Sequence, residues 1–330
     1  MLRLPVLRHA APTTLDEAIE LLAAEGTMLA AGGTDLVPNL KRRQYPEAKT
    51  IVSLRRIPEL RGIDLLDDGS LRIGALTTLA ELVADDRAAP ALREAARAVA
   101  SPQLRSRGTV GGNLCVDTRC HWLNVPETWR RAAEPCLKAG GDTCWVAPAK
   151  RFCWAVSSTD LAPMAIALDA TVELAGPEGR RRIPLEELYR NDGMAHLTKA
   201  PDEILVALVV PPLGDRRAGY RKLRRRGSID FPILGVAARL GFDGEVCTDA
   251  RLVVGAIVSA PLRLPQVEAL LEGRPLDAAT IRAAAEAAGK AVRPMSNTDL
   301  TSRYRKRMVP VFVRRLLDEL VGASGATATS

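Results

Sequence analysis

Five of the six cysteines of this chain, Cys115, Cys120, Cys136, Cys144 and Cys153, fall in one short stretch where even scattering would place fewer than one. Thiols gathered this closely commit the stretch to more than ordinary packing. In a reducing compartment a disulfide cage is disfavoured, so the leading physical reading is four thiolates around a metal centre. The intervals between Cys120, Cys136, Cys144 and Cys153 (16, 8 and 9) match neither paired Cys-x-x-Cys zinc knuckles nor a compact ferredoxin run. Spacing alone leaves zinc and an iron–sulfur cube both open. Cys115, across a Gly-Gly-Asn turn, is left out of the ligand set, and Cys247 reads as a small buried hydrophobe.

All four tryptophans, Trp122, Trp129, Trp145 and Trp154, share this region. Such rings can keep water from a cluster and tune its potential, or simply give an inserted loop its own small core. Arg119, Arg130, Arg131, Lys138, Lys150 and Arg151 outnumber Asp117, Glu127, Glu134 and Asp142 there, a surplus that suits a negatively charged cube and also suits a solvated surface. Of the three histidines, only His121, beside Cys120, reads either as a donor to a cluster sulfur or, equally, as a surface residue.

Over all 330 residues, 46 Lys plus Arg stand against 39 Asp plus Glu, with both signs interspersed and only 4% aromatics. That balance argues against disorder and against a nucleic-acid tail. The longest apolar candidate, Trp154 to Leu174, is broken by Asp160, Pro163 and Asp169, and the start of the chain has no apolar core for a secretory signal. The expectation is a cytoplasmic protein of two or three domains without a membrane span.

Thr14 with Glu17, and Thr78 with Glu81, form capping boxes for helices over about 15–24 and from 79 onward. Strands are expected at 28–30 and 51–54, a hairpin at 63–66 and 71–74, and an Ala-rich helix over 88–100. Asp160 can cap a helix over 161–168, followed by strands at 171–174 and 204–210. Beyond a linker at 214–219 come strands at 235–240 and 251–255, then helices near 265–272, 280–291 and 299–319. In the last helix Tyr304, Met308, Val311 and Phe312 read as the core-facing stripe despite Pro310.

Two glycine loops stand out: Leu29-Ala30-Ala31-Gly32-Gly33-Thr34-Asp35-Leu36 and Gly108-Thr109-Val110-Gly111-Gly112-Asn113-Leu114. Neither is a Gly-x-Gly-x-x-Gly fingerprint or a P-loop. Adjacent glycines let successive backbone N–H groups converge on an anion such as a diphosphate, with Thr34 and Thr109 adding hydroxyls. Asp160 can accept from a ribityl or ribose hydroxyl, or only cap its helix. Lys222 and Arg226 can each sit near such a cofactor or at a solvated basic strand end; the first reading is preferred for Lys222 and the second for Arg226.

These residues, with the Tyr220-x-Lys222 segment, resemble the flavin-binding medium subunit of the molybdenum hydroxylase (xanthine dehydrogenase) family. The resemblance implies an α+β fold: a PCMH-type FAD-binding domain of two α+β subdomains, 1–58 and 59–213, and an α+β C-terminal domain over 217–325. It implies FAD contacts at residues 29–36, Thr109, Gly112, Asn113, Asp160 and Lys222. Typical members lack the segment 115–154, and that insert resembles the one in the 4-hydroxybenzoyl-CoA reductase branch. There it holds a 4Fe–4S cluster on cysteines matching Cys120, Cys136, Cys144 and Cys153.

The function so implied is an electron-transfer subunit. Ferredoxin would donate through the 4Fe–4S cluster and FAD to a small subunit with two 2Fe–2S clusters and a large molybdopterin subunit that dehydroxylates 4-hydroxybenzoyl-CoA, as a dimer of heterotrimers, with Arg130 or Lys150 docking an acidic ferredoxin. Three alternatives remain: a medium subunit of an oxidative molybdenum enzyme for aldehydes or N-heterocycles, a lone flavin oxidoreductase with structural zinc, and a scaffold with neither cofactor.

Overall fold

A computed structural model describes residues 3–322; residues 1–2 and 323–325 of the expected domains lie outside the described residues. Three sheets organise the chain. The first is parallel, with Arg8–Ala10 and Thr27–Ala30 flanking Thr50–Ser53. The helix Leu15–Leu22 crosses between its first two strands and begins at the expected capping box, both reciprocal bonds being present. It ends two residues earlier than expected, at Leu22, with Ala23 as its C-cap.

The second sheet is antiparallel, in the order Ile63–Leu65, Leu71–Gly74, Ile204–Val210, Thr171–Gly176, Gly179–Pro184. All seven residues of Ile204–Val210 are buried, as suits a central strand covered on both faces. Helices Leu79–Ala84, Pro90–Arg97 and Leu161–Ala167 supply the apolar layer over it. The Ala-rich helix is shorter than 88–100 because Pro90 occupies its first turn and the chain passes through a positive φ at Ala100.

The third sheet, in the C-terminal domain, pairs Leu262–Arg263, Val246–Gly255, Leu234–Asp243 and Arg217–Leu223. Helices Pro265–Leu271, Ala278–Ala291 and Ser302–Gly322 cover it. Cys247 is fully buried in this core. The core face of the last helix is Val309, Val313, Leu316, Leu317 and Leu320, with Arg305 in place of a further apolar residue. That corrects the expected stripe: Tyr304 is exposed, and Met308 and Phe312 only flank the core.

The segment 115–154 runs between the helices Val110–Leu114 and Leu161–Ala167. It contains only the helix Glu127–Ala132 and a single turn at Leu137–Ala139, and packs on its own small core of Cys120, Leu123, Cys153 and Ala155. Arg130 is the rivet. Its guanidinium, 7% exposed, donates to the carbonyls of Leu123 and Val125 within the insert and of Arg42 and Arg43 outside it, at 2.6–3.2 Å. A buried cation with four acceptors cannot greet a partner protein, which removes Arg130 from the expected docking role; Lys150 is exposed. No described helix is long and apolar enough to cross a membrane.

Candidate functional site

A cavity of about 500 Å³ opens where the parallel sheet meets the second subdomain, within the size range of small-molecule sites. Both glycine segments line it: Leu29, Ala31, Gly32, Gly33, Thr34, Asp35 and Leu36 from one side, Thr109, Gly112 and Asn113 from the other. Ala30 is not on the wall.

The two segments touch. A Cβ on Gly32 would collide with the Arg107 carbonyl oxygen and sit 3.0 Å from Gly108 Cα, so only glycine allows this approach. Gly33 has φ +74°, which also favours glycine. Asp35 starts the helix Leu36–Lys41 without capping it; its carboxylate is taken by Asn39 and by an ion pair with Arg119. Among the described residues the N–H groups of Gly32, Gly33 and Thr34 have no hydrogen-bond partner. Unspent donors in a turn at a cavity wall fit a diphosphate, whose charge they would compensate out of water.

The second glycine segment is less open than a loop. Val110–Leu114 is a short helix capped by Thr109, whose hydroxyl accepts from Gly112 N–H at 3.1 Å, so that N–H is already spent. Asn113 Oδ1 accepts from Thr159 and from the backbone of Leu161, tying the cavity wall to the next helix.

Asp160 and Lys222 sit off the wall. Asp160 does not cap its helix; it accepts from Tyr220 Oη and Lys222 Nζ, both at 2.8 Å. Burial works against charge on both partners, raising the Asp160 pKa and lowering that of Lys222. Lys222 also donates to the carbonyls of Ala98 and Asp230, whose neighbours Val99 and Phe231 line the cavity. The pair therefore shapes the site by holding two of its rims, a role visible only once three distant segments meet. Arg226 is exposed and bound to Asp230.

Several wall residues carried no sequence signal. Phe231, half-exposed, stacks under the Arg119 guanidinium 3.6 Å away, and burial lowers Arg119 to about 10. Tyr45 donates to Asp117 at 2.9 Å, and His196 lies 8% exposed against the Val116 carbonyl. Cys115 faces this cavity and not the other cysteines.

Cys120, Cys136, Cys144 and Cys153, all buried, line a second and smaller pocket together with Trp122, Trp145 and Lys138. Burial pushes the Cys120 thiol up to about 12 and Cys153 to about 11, and the neighbouring cysteines add to both. Four buried thiols on one pocket wall are poised for a cation that would hold them as thiolates. Among the described residues no group of three or more His, Cys, Asp or Glu forms a site for a single metal ion. One tetrahedral zinc draws its sulfurs to about 2.3 Å from a single centre. Four thiolates are the donor type that a zinc ion or an iron–sulfur cube takes, so the residues present fit either group. His121 takes no part: its ring is exposed and tilts on Trp122, and its backbone N–H donates to Asn297.

Residues 6–213 match the family model of the FAD binding domain in molybdopterin dehydrogenase, and 218–320 that of the CO dehydrogenase flavoprotein C-terminal domain. The putative xanthine dehydrogenase FAD-binding subunit of Escherichia coli (strain K12) is 31% identical over 94% of this chain and 95% of its own. The aldehyde oxidoreductase FAD-binding subunit of the same strain is 32% identical over 78% of this chain and 83% of its own. A solved carbon monoxide dehydrogenase from Hydrogenophaga pseudoflava superposes with a TM-score of 0.80 at 26% identity, covering 96% of this chain and 97% of that one. The chain belongs to the medium, FAD-binding subunits of the molybdenum hydroxylase family, redox subunits of oxidoreductases.

Proposed function

We propose that this chain is the electron-relaying flavoprotein subunit of an oxidative molybdenum enzyme acting on an aldehyde or an N-heterocycle, assembled with a large molybdopterin subunit and a small subunit bearing two 2Fe–2S clusters. The observation that carries it is the cavity faced by the unspent N–H groups of Gly32, Gly33 and Thr34, in a chain whose full-length relatives are named for xanthine and aldehyde oxidation. Those names turn the expectation away from reductive dehydroxylation as the first choice.

FAD supplies exchange of one or two electrons when bound. The residues of this chain do the rest: the 31–36 turn and Thr109 bind and orient it, Leu29, Leu76 and Leu79 exclude water, and Phe231 covers the rim. Cys120, Cys136, Cys144 and Cys153 would hold a 4Fe–4S cluster, which passes single electrons.

One observation favours a second reading. The 16, 8 and 9 intervals of the insert resemble the 4-hydroxybenzoyl-CoA reductase branch, in which ferredoxin would be the donor and the heterotrimer would pair into a dimer. Purified complex assayed with aldehydes and N-heterocycles against an artificial acceptor, and with 4-hydroxybenzoyl-CoA against a reduced viologen, decides between them. Turnover only in the second assay overturns the first reading, and turnover in neither overturns both.

A further inference from the structure

The two pockets are joined by one part-buried ion pair. Lys138 lines the four-cysteine pocket, and its ammonium donates to Asp117 Oδ1 at 2.5 Å, Thr118 Oγ1 at 2.6 Å and the Gly193 carbonyl at 2.7 Å. Asp117 lines the large cavity, where its other oxygen accepts from Tyr45 at 2.9 Å. The Lys138 side chain is 11% exposed and that of Asp117 23%. Gly193 in turn donates its N–H to the Cys153 carbonyl, so the segment that fixes the ammonium also fixes a cysteine. Arg130 turns instead to backbone carbonyls of residues 42 and 43, which leaves Lys138 as the cation on the wall of the cysteine pocket.

We infer that Lys138 and Asp117 act as one electrostatic bridge that sets the reduction potentials of the two redox centres together. This rests on the reading that the cysteines hold a 4Fe–4S cluster and the cavity holds FAD. Each electron added to either centre adds negative charge. The Lys138 ammonium stabilises that charge, and Asp117, facing the flavin side, opposes it; both side chains are part-buried, where Coulomb interactions are screened less than in open water. The side chains are positioning residues, since neither ligates the cluster.

The test is a redox titration of the purified complex at one pH, with the cluster followed by electron paramagnetic resonance and the flavin by absorbance. Lys138→Met is expected to lower both midpoint potentials, Asp117→Asn to raise both, and Lys138→Arg to stay near wild type. A merely structural role has no reason to shift the two neutral replacements in opposite senses. Unmoved potentials in Lys138→Met and Asp117→Asn, or shifts of the same sign, with iron, sulfide and FAD all present, would overturn the bridge. If Lys138→Met assembles no cluster, Asp117→Asn against Lys138→Arg decides: a higher potential in the former supports the bridge, and equal potentials overturn it. Wild-type complex lacking iron and sulfide would instead overturn the cluster reading itself.

Discussion

Replacing Gly32 by alanine should cripple flavin binding while the fold survives. The added Cβ would collide with the Arg107 carbonyl oxygen and lie 2.8 Å from its carbonyl carbon and 3.0 Å from Gly108 Cα. Comfortable contacts need about 3.3–3.5 Å or more, and the oxygen is the nearest atom, so the segments must part by about 1 Å or more. Every obstructing atom is backbone, so no rotamer change gives relief. Overpacking of this kind costs about 1–3 kcal/mol. In the empty site the segments can separate, so the strain falls mainly on the form that must close around FAD. At 1.4 kcal/mol per decade, affinity should drop about 5- to 100-fold. Titrating deflavo-complex with FAD by flavin fluorescence measures it. Gly179→Ala is the control: its positive φ strains the substitution, but the added Cβ meets open space in a hairpin turn off the cavity wall, so it should cost some stability without changing FAD affinity. Wild-type affinity in Gly32→Ala would refute the reasoning.

Arg305→Leu removes a fully buried guanidinium that serves the carbonyls of Ile233, Met295 and Ala256 and Asn297 Oδ1, and should cost about 3–5 kcal/mol in thermal or urea unfolding; a loss below about 1 kcal/mol would contradict this. Burial holds the His196 imidazole below its ordinary value, so the folded state favours the neutral ring. Its contribution is complete above about pH 6.5 and is lost as pH falls through the lower folded value, and His196→Gln should therefore flatten the acid decline in melting temperature; parallel pH curves would count against it. Serine at any one of Cys120, Cys136, Cys144 or Cys153 should release iron and sulfide, whereas serine at Cys115 or Cys247 should retain both, as read by metal and sulfide analysis.

Local chemistry was legible in the sequence, and long-range chemistry was not. The capping boxes at Thr14 and Thr78 are written within four residues, and the structure has both. Asp160 has equally good capping chemistry, yet Tyr220 and Lys222 from the next domain outcompete its own helix N–H groups. Arg130 looked like a surface cation because its acceptors are backbone carbonyls far along the chain, which have no residue signature. Arg305 hid the true face of the last helix by placing a charge where the periodicity asks for an apolar residue. The glycine segments pointed to the cavity, although only the fold shows Gly112 N–H to be spent on Thr109. Tyr45, His196 and Phe231 reach the wall through contacts that no spacing encodes.

The account stands most directly on what the wild-type chain carries when its complex is purified without oxygen. Flavin, iron, acid-labile sulfide and zinc should be measured on one sample and divided by the amount of this chain, with the share of the partner subunits subtracted. The expected result is one FAD with about four irons and four sulfides. One zinc without sulfide on this chain, or a preparation with no flavin, would contradict it.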